Sequence, residues 1–503
     1  MEKIWDYVII GSGMGGLSAG AVLAKNGQSV LVLERGSSPG GCCSSFKKGY
    51  YVFEAGATTL VGFEEGLPMS HLERLLGIEF AKRDLPLSMQ VHINGETIQR
   101  YSDRKLWIEE CIRVFGTPLR QKMFWNFTFF LSSAVWDISK RYLLFPFRNI
   151  KEVILSLSSV RWIDPIAFIF SLLRTEQVLA LFGLKNQLLF KKFLTEQLMI
   201  TNQCGVKEAP FLSAAAGLTY PNLKNFYVDG GMVELPNTLI RFICEHSGEY
   251  QSKAEVVSFE RVRNVHDTEL WHVKTKNKEF FSLNLISNVP IWNLAQLHKE
   301  KEDSLTATSK SFNSSIWGAF TAGIALKANI PKEECLHHQL HVNGQNIHGI
   351  GDSVFVSLSH AEDEVRSKEG VRILSLSTHL AMPEKWDRRS SDYQQKKKEV
   401  MNLFIRILSE TFPWFRSEDI VFLHTATPAT WSTWTGRLHG RVGGIPSQFF
   451  RNPFRYISPV TQIPNFYLTG DTIYPGQGVP AVVLGGMNLA KRILKNKERL
   501  ILR

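Results

Sequence analysis

The chain has 503 residues, 44% of them hydrophobic and 21% charged, with 58 Lys and Arg against 47 Asp and Glu for a formal net charge of +11. Single cores rarely grow past roughly 300 residues, so two or three lobes are expected, and the composition excludes long disorder. The basic excess favours an anionic partner, and with no nucleic-acid-binding motif beside it the headgroups of a membrane are the expected one.

Six cysteines, Cys42, Cys43, Cys111, Cys204, Cys244 and Cys335, show neither a zinc spacing nor a CxxC pair, so no metal and a reducing compartment are expected. A strand pattern starts at once after Met1, leaving no room for a signal peptide. The strongest apolar run, residues 123–136, is bounded by Lys122 and Asp137 and falls short of the about 20 residues that a spanning helix needs. The expectation is a cytoplasmic protein, peripheral at a membrane.

In chain order, the first unit is strand 7–10, a glycine turn, a small-residue helix through 17–25 and strand 30–33, closed by Glu34. The turn Gly11-Ser12-Gly13-Met14-Gly15-Gly16 fits GxGxxG. The first glycine permits the tight turn, the second lets a pyrophosphate approach the backbone, and the third lets helix and strand pack. The helix N-terminus then faces phosphates, and Glu34, at the end of the second strand, is placed to accept from both ribose hydroxyls while repelling a 2′-phosphate. A glycine turn kept for packing alone would not bring this strand, helix and carboxylate together.

From 78 to 225 glycines become few and aromatic and aliphatic residues dominate, broken by single basic ones, which reads as a helical lobe. Residues 141–148, 166–174 and then Lys191 and Lys192 combine apolar bulk with cationic flanks. Such a pattern anchors a protein at a membrane interface, or gives a helical core a solvated basic face. At 226–234 a glycine turn enters a helix over 235–246, and strands near Val256 and Leu285 return the chain to the first lobe. Alternating runs at 316–326, 354–360 and 372–379 predict a second, half-buried sheet belonging to a substrate lobe. An amphipathic helix follows at 392–410, and from 465 onward come strand, glycine-rich turn and helix. The fold class is thus α/β: a Rossmann-like dinucleotide-binding domain in three parts (1–77, 226–310, 451–503), a helical, membrane-facing lobe (78–225) and a substrate domain with a mixed sheet (311–450).

The tail Tyr467-Leu468-Thr469-Gly470-Asp471, with Gly476 and Gly478 after it, resembles the second cofactor-binding motif of FAD oxidoreductases, and Pro39-Gly40-Gly41 adds a second glycine pair near the phosphate site. No second GxGxxG follows a strand, which speaks against a separate NAD(P)H domain. FAD in a glutathione-reductase-type fold is therefore the expected cofactor. The stretch 34–46, with Gly-Gly-Cys-Cys at 40–43, and Phe53-Glu54-Ala55-Gly56 resemble retinol saturases, while Gly470-Asp471 through Pro475-Gly476-Gln477-Gly478-Val479 is similar to carotenoid isomerases. Both belong with the phytoene desaturases in one flavoprotein superfamily. Asp229-Gly230-Gly231-Met232 looks like its glycine pair before a helix, and Val256 and Val257 fall where its adenine-side strand would lie. The expected cofactor-binding set is Gly11, Gly13, Met14, Gly15, Gly16, Glu34, Arg35, Gly40, Gly41, Val256, Val257, Gly470, Asp471, Gly478 and Val479, with Asp471 holding the ribityl and pyrophosphate region.

The resemblance implies a FAD-dependent oxidoreductase acting on a long apolar polyene or isoprenoid, by desaturation, saturation or cis–trans isomerisation, as in carotenoid biosynthesis. An amine-oxidase-type flavoenzyme and a FAD-binding escort of prenyl lipids or prenylated proteins share the fold and stay open. Glu54, His424, Arg437, His439 and Arg441 are candidates for proton handling, and His439 and Arg441 read as a surface loop. Cys42 and Cys43 are expected to pack beside the pyrophosphate, since adjacent cysteines suit a disulfide poorly.

Overall fold

The computed structural model of the chain describes residues 3–297, 316–448 and 456–501. The domain boundaries expected at 310 and 450 lie outside those residues. The first sheet draws its strands from three separated stretches of chain. Its parallel core runs Phe466–Leu468, Glu279–Ser287, Ile4–Ile10, Val30–Leu33, Gly248–Gln251. The antiparallel strands Glu269–Thr275 and Val256–Arg263 extend it beyond Glu279–Ser287. Val30–Leu33 is buried throughout, as expected of a strand covered on both faces.

Between the first two strands crosses the helix Met14–Lys25. Its small residues let the C-terminal helix Val479–Ile501 approach backbone to backbone, so closely that a Cβ at Gly486 would stand 2.2 Å from the Gly15 carbonyl oxygen. Leu17, Ala21, Leu239, Ile243, Val483 and Met487 fill the layer between these helices, Glu234–Glu245 and the sheet. The tail is thus a structural part of the N-terminal unit.

The second sheet runs Ile420–Ala426, Gly318–Leu326, Arg372–Leu380, Ser353–Leu358, His337–His341, Met89–Ile93, Glu96–Arg100. Only His337–His341 beside Met89–Ile93 is a parallel pair, so the sheet is mixed. The helix Tyr393–Thr411 covers one face through Val400, Phe404, Ile407 and Leu408. The hairpin over 89–100 corrects the reading of 78–225 as helical: Met89, Val91 and Ile93 are buried and alternate with half-buried Gln90 and His92, a period of two inside a helical neighbourhood.

The helices of the lobe run from Arg104–Phe115 through Pro118–Arg141, Ile150–Ser156, Ile163–Ser171, Thr175–Leu181 and Leu188–Asn202 to Phe211–Thr219. They enclose an aromatic core of their own, with Trp107, Trp125, Phe190 and Phe193 fully buried. Arg100 is buried within it, its guanidinium 4.0 Å from the Trp107 ring centre and donating to the Leu218 carbonyl and Asn222. Among the described residues no helix is long and apolar enough to cross a membrane.

Candidate cofactor and substrate site

The first strand delivers the glycine turn to the end of the parallel sheet. Gly13 is the N-cap of the helix Met14–Lys25 and has no side chain of its own to cap it, so apart from the Gly16 N–H, which Asn288 takes, the first N–H groups are aimed out of the helix for an anion. Asn288, just past the strand Glu279–Ser287, threads between the two cofactor motifs: its Oδ1 accepts from the Gly16 N–H at 3.1 Å, and a Cβ at Gly470 would stand 2.9 Å from it. A Cβ at Gly13 would lie 2.5 Å from the Asn288 amide, so this glycine is required by the protein itself. Sequence reasoning missed Asn288, since an Asn after a strand carries no motif of its own.

Glu34 is held at the cleft's rim by the Ser12 N–H at 3.0 Å, the Ser12 hydroxyl at 2.7 Å and the Gly36 N–H at 2.8 Å. Three of its roughly four acceptor positions are used, so fewer remain for a ribose than the motif implies. Arg35 lies 3.5 Å from Glu255 and packs on Gly436. Gly11, Gly13, Met14, Gly15, Glu34, Arg35, Gly40, Gly41, Val256, Gly470, Asp471, Gly478 and Val479 line one cavity. Gly16 and Val257 lie off it: Gly16 packs on the Gly11 carbonyl, and Val257 points to solvent. Gly478, with φ +96° and open space where a Cβ would be, lets the chain turn into the C-terminal helix beside the cavity.

Asp471 is not free for a ribityl chain alone. Its carboxylate accepts from Arg437 at 2.8 Å, and that guanidinium also donates to the carbonyls of Arg441 and Gly443. Burial lowers the Arg437 pKa, but the Asp471 carboxylate beside it outweighs that and leaves the cation above its ordinary value. The segment 436–446 is therefore part of the site, which corrects the surface-loop reading at Arg441 but not at exposed His439. Arg441 is buried and lines the cavity, while His439 faces away from it. Cys42 and Cys43 line the cavity as free thiols, and burial pushes both pKa values up, so they stay protonated and are no nucleophiles.

Glu54 and His424 are off the cavity as well. Glu54 accepts from Ser45 at 2.6 Å and pairs with buried Arg366 at 3.1 Å, tying the first lobe to the loop 359–371. His424 packs edge-on against Phe53, with ring centres 4.5 Å apart. In their place the cavity holds His379, Gln203 and Gln197, none of which carried a sequence signal. The same cavity is also lined by Gln203, Ser377 and His379 and, from the helical lobe, by Trp136, Phe145, Val160, Ala167, Phe168 and Leu212.

The helix end entered by the glycine turn, the fixed Glu34 carboxylate, the second glycine-acid motif and a cavity passing both suit FAD. A family profile described as an NAD(P)-binding Rossmann-like domain matches residues 9–75. The prolycopene isomerase of Arabidopsis thaliana is 24% identical over 99% of this chain and 85% of its own length. The human all-trans-retinol 13,14-reductase is 51% identical over 65 residues, 13% of this chain and 10% of its own. Among solved structures, an oxidoreductase from Methanosarcina mazei aligns with a TM-score of 0.64 at 15% identity, over 96% of this chain and 99% of its own. The cyclohexylamine oxidase of Brevibacterium oxydans aligns at 0.58 and 13% identity, over 98% and 100%. At such identities the structures speak for the fold alone. Taken with the cleft, the matches to prolycopene isomerase and retinol reductase support a likeness of the chain to the FAD-binding flavoenzymes of the carotenoid isomerase, desaturase and retinol saturase superfamily.

Proposed function

We propose that the protein is a FAD-dependent oxidoreductase of the phytoene desaturase and carotenoid isomerase type, acting on carbon–carbon bonds of a long apolar polyene or isoprenoid. One observation carries this reading. A single cavity of about 1340 Å³ joins the dinucleotide cleft to an aromatic and aliphatic end in the helical lobe. Ordinary small-molecule sites occupy roughly 300–1,000 Å³, so room for an extended apolar chain remains beyond the cofactor. The names of both relatives, prolycopene isomerase and all-trans-retinol reductase, refer to molecules of this kind.

Bound FAD would accept or donate a hydride at the reacting carbon–carbon bond, and the protein's own part is binding, orientation and exclusion of water. Gly11 to Gly15 and the end of the helix Met14–Lys25 would hold the pyrophosphate, Glu34 a ribose, and the Asp471–Arg437 pair the linker toward the ring. Leu157, Val160 and Phe168, which line the far end of the cavity, are 60%, 51% and 54% exposed and continue into exposed Ile154, Trp162 and Ile169. This contiguous apolar surface around a cavity mouth supports peripheral contact with a membrane, from which a water-insoluble substrate would enter.

The test is expression in cells that make phytoene or a poly-cis carotene, with chromatography of extracted pigments and the flavin content of the purified protein. New double bonds mark a desaturase, a changed isomer pattern at constant mass an isomerase, and a lost double bond a saturase. Bound FAD with every polyene unchanged sinks the polyene reading and leaves the cofactor assignment standing.

A further inference from the structure

Basic groups from three helices meet outside the cofactor cavity. His71 and Arg74 stand on the helix Pro68–Leu76, Lys140 in the last turn of Pro118–Arg141, and Lys491 on the C-terminal helix Val479–Ile501. The Lys491 ammonium and Nε2 of His71 lie 2.6 Å apart, and Lys140 donates to the Gly66 carbonyl at 2.7 Å. The charges that act on the His71 ring are all cationic: Lys491, Arg74 and Lys140. Among the described residues none of these four groups is paired with a carboxylate, and none of them lines the cofactor cavity.

Like charges this close repel, and burial adds a desolvation cost. The cluster answers by giving up protons: burial, and then the cations Lys491, Arg74 and Lys140, lower the His71 pKa, and burial lowers that of half-buried Lys491. One of the two nitrogens in the His71–Lys491 contact must lack its proton for the hydrogen bond to form. A group with up to two negative charges and several acceptor oxygens would offset the repulsion and take the remaining N–H donors. A phosphate has both, whereas a carboxylate neutralises a single cation. The next residue on the C-terminal helix, Arg492, is held at 2.6 Å by Glu152, on the helix whose Ile150, Ile154 and Leu155 are exposed. The cluster therefore adjoins an apolar face suited to lipid.

We infer that His71, Arg74, Lys140 and Lys491 form a binding site for a phosphate group, either free in solution or in the headgroup of an anionic lipid. The site is separate from the substrate cavity and stands whether or not the substrate is a polyene.

The experiment uses the flavin-loaded protein in two arms. Calorimetry titrates inorganic phosphate against chloride at equal ionic strength. Co-sedimentation compares phosphatidylcholine vesicles carrying phosphatidic acid with vesicles carrying oleate at equal surface charge. Combining Lys140→Met with Lys491→Met should weaken phosphate binding by about tenfold or more, the loss of at least one charge-assisted hydrogen bond, with flavin content unchanged. Since the double variant also removes repulsion, it should melt no lower than the wild type in phosphate-free buffer. Lys491→Arg, which keeps the charge, should retain most of the binding. Phosphate binding that the double variant loses, with vesicles followed by charge alone, supports a site for free phosphate. Preference for phosphatidic acid over oleate, lost in the same variant, supports a site for a lipid headgroup. Phosphate bound no better than chloride together with equal sedimentation on both vesicles overturns the inference, as does binding that the double variant retains in full.

Discussion

At the scale of single residues, the site depends on close approach and on one buried ion pair. A Cβ at Gly13 would meet the Asn288 side-chain amide at 2.5 Å. Gly13→Val should therefore purify with less than a tenth of the wild-type flavin per protein, read from absorbance, and a stoichiometric flavin content in that variant would refute the assignment of the turn. The Arg437–Asp471 pair is 12% and 18% exposed, buried enough that removing one partner strands a charge. Arg437→Gln and Asp471→Asn should each destabilise the protein by about 2–3 kcal/mol in denaturant unfolding, with the double variant costing no more than either alone. Additive costs would show that the pair does not act as a unit.

Among the elements, the second sheet and the exposed helices carry separate consequences. Burial holds His92, His337, His379 and His424 down at about 4, and His338 and His341 at about 3. Unfolded, each returns to about 6.5 and binds a proton that the native sheet refuses. Their contribution is thus complete above pH 6.5 and lost as pH falls toward 4, or toward 3 for His338 and His341, with a slope of up to ~1.4 kcal/mol per pH unit for each histidine. The urea midpoint should drop clearly between pH 7.5 and pH 5.0, and His338→Gln should flatten that drop; a midpoint independent of pH would contradict the buried neutral rings. On the helices Ile150–Ser156 and Ile163–Ser171, exposed Ile154, Phe168 and Ile169 should seat in lipid. Replacing Ile154 and Phe168 by Glu should at least halve co-sedimentation with anionic liposomes while leaving the melting temperature unchanged. Equal sedimentation would remove this face as the contact.

Across the whole molecule, the FAD cleft is assembled from the N-terminal turn, the segments around Val256 and Asn288, the loop with Arg437 and the tail at Asp471. A ligand that binds only this assembled state stabilises it by about 2.7 kcal/mol at a hundredfold excess over its Kd, so stripping flavin should lower the melting temperature by several degrees, reversibly on adding FAD. Unchanged melting would mean that the cofactor does not bridge these segments. Sequence alone determined what is local or repeated by short-range chemistry: the β-α-β unit with its glycine turn and Glu34, the paired tail motif, the alternating strands of the second sheet and the amphipathic helix expected at 392–410. The turn residues and periodicities that specify them act over a few positions. Only the tertiary structure decided that residues 89–100 join the second sheet, that Asn288 bridges two motifs, that Arg437 claims Asp471 while Glu54 and His424 stand aside, and that His379 and Gln203 face the cavity. Those outcomes rest on contacts between residues up to hundreds of positions apart, and a lone Asn, Gln or His has the same local propensity whether it meets a cofactor, a substrate or the core.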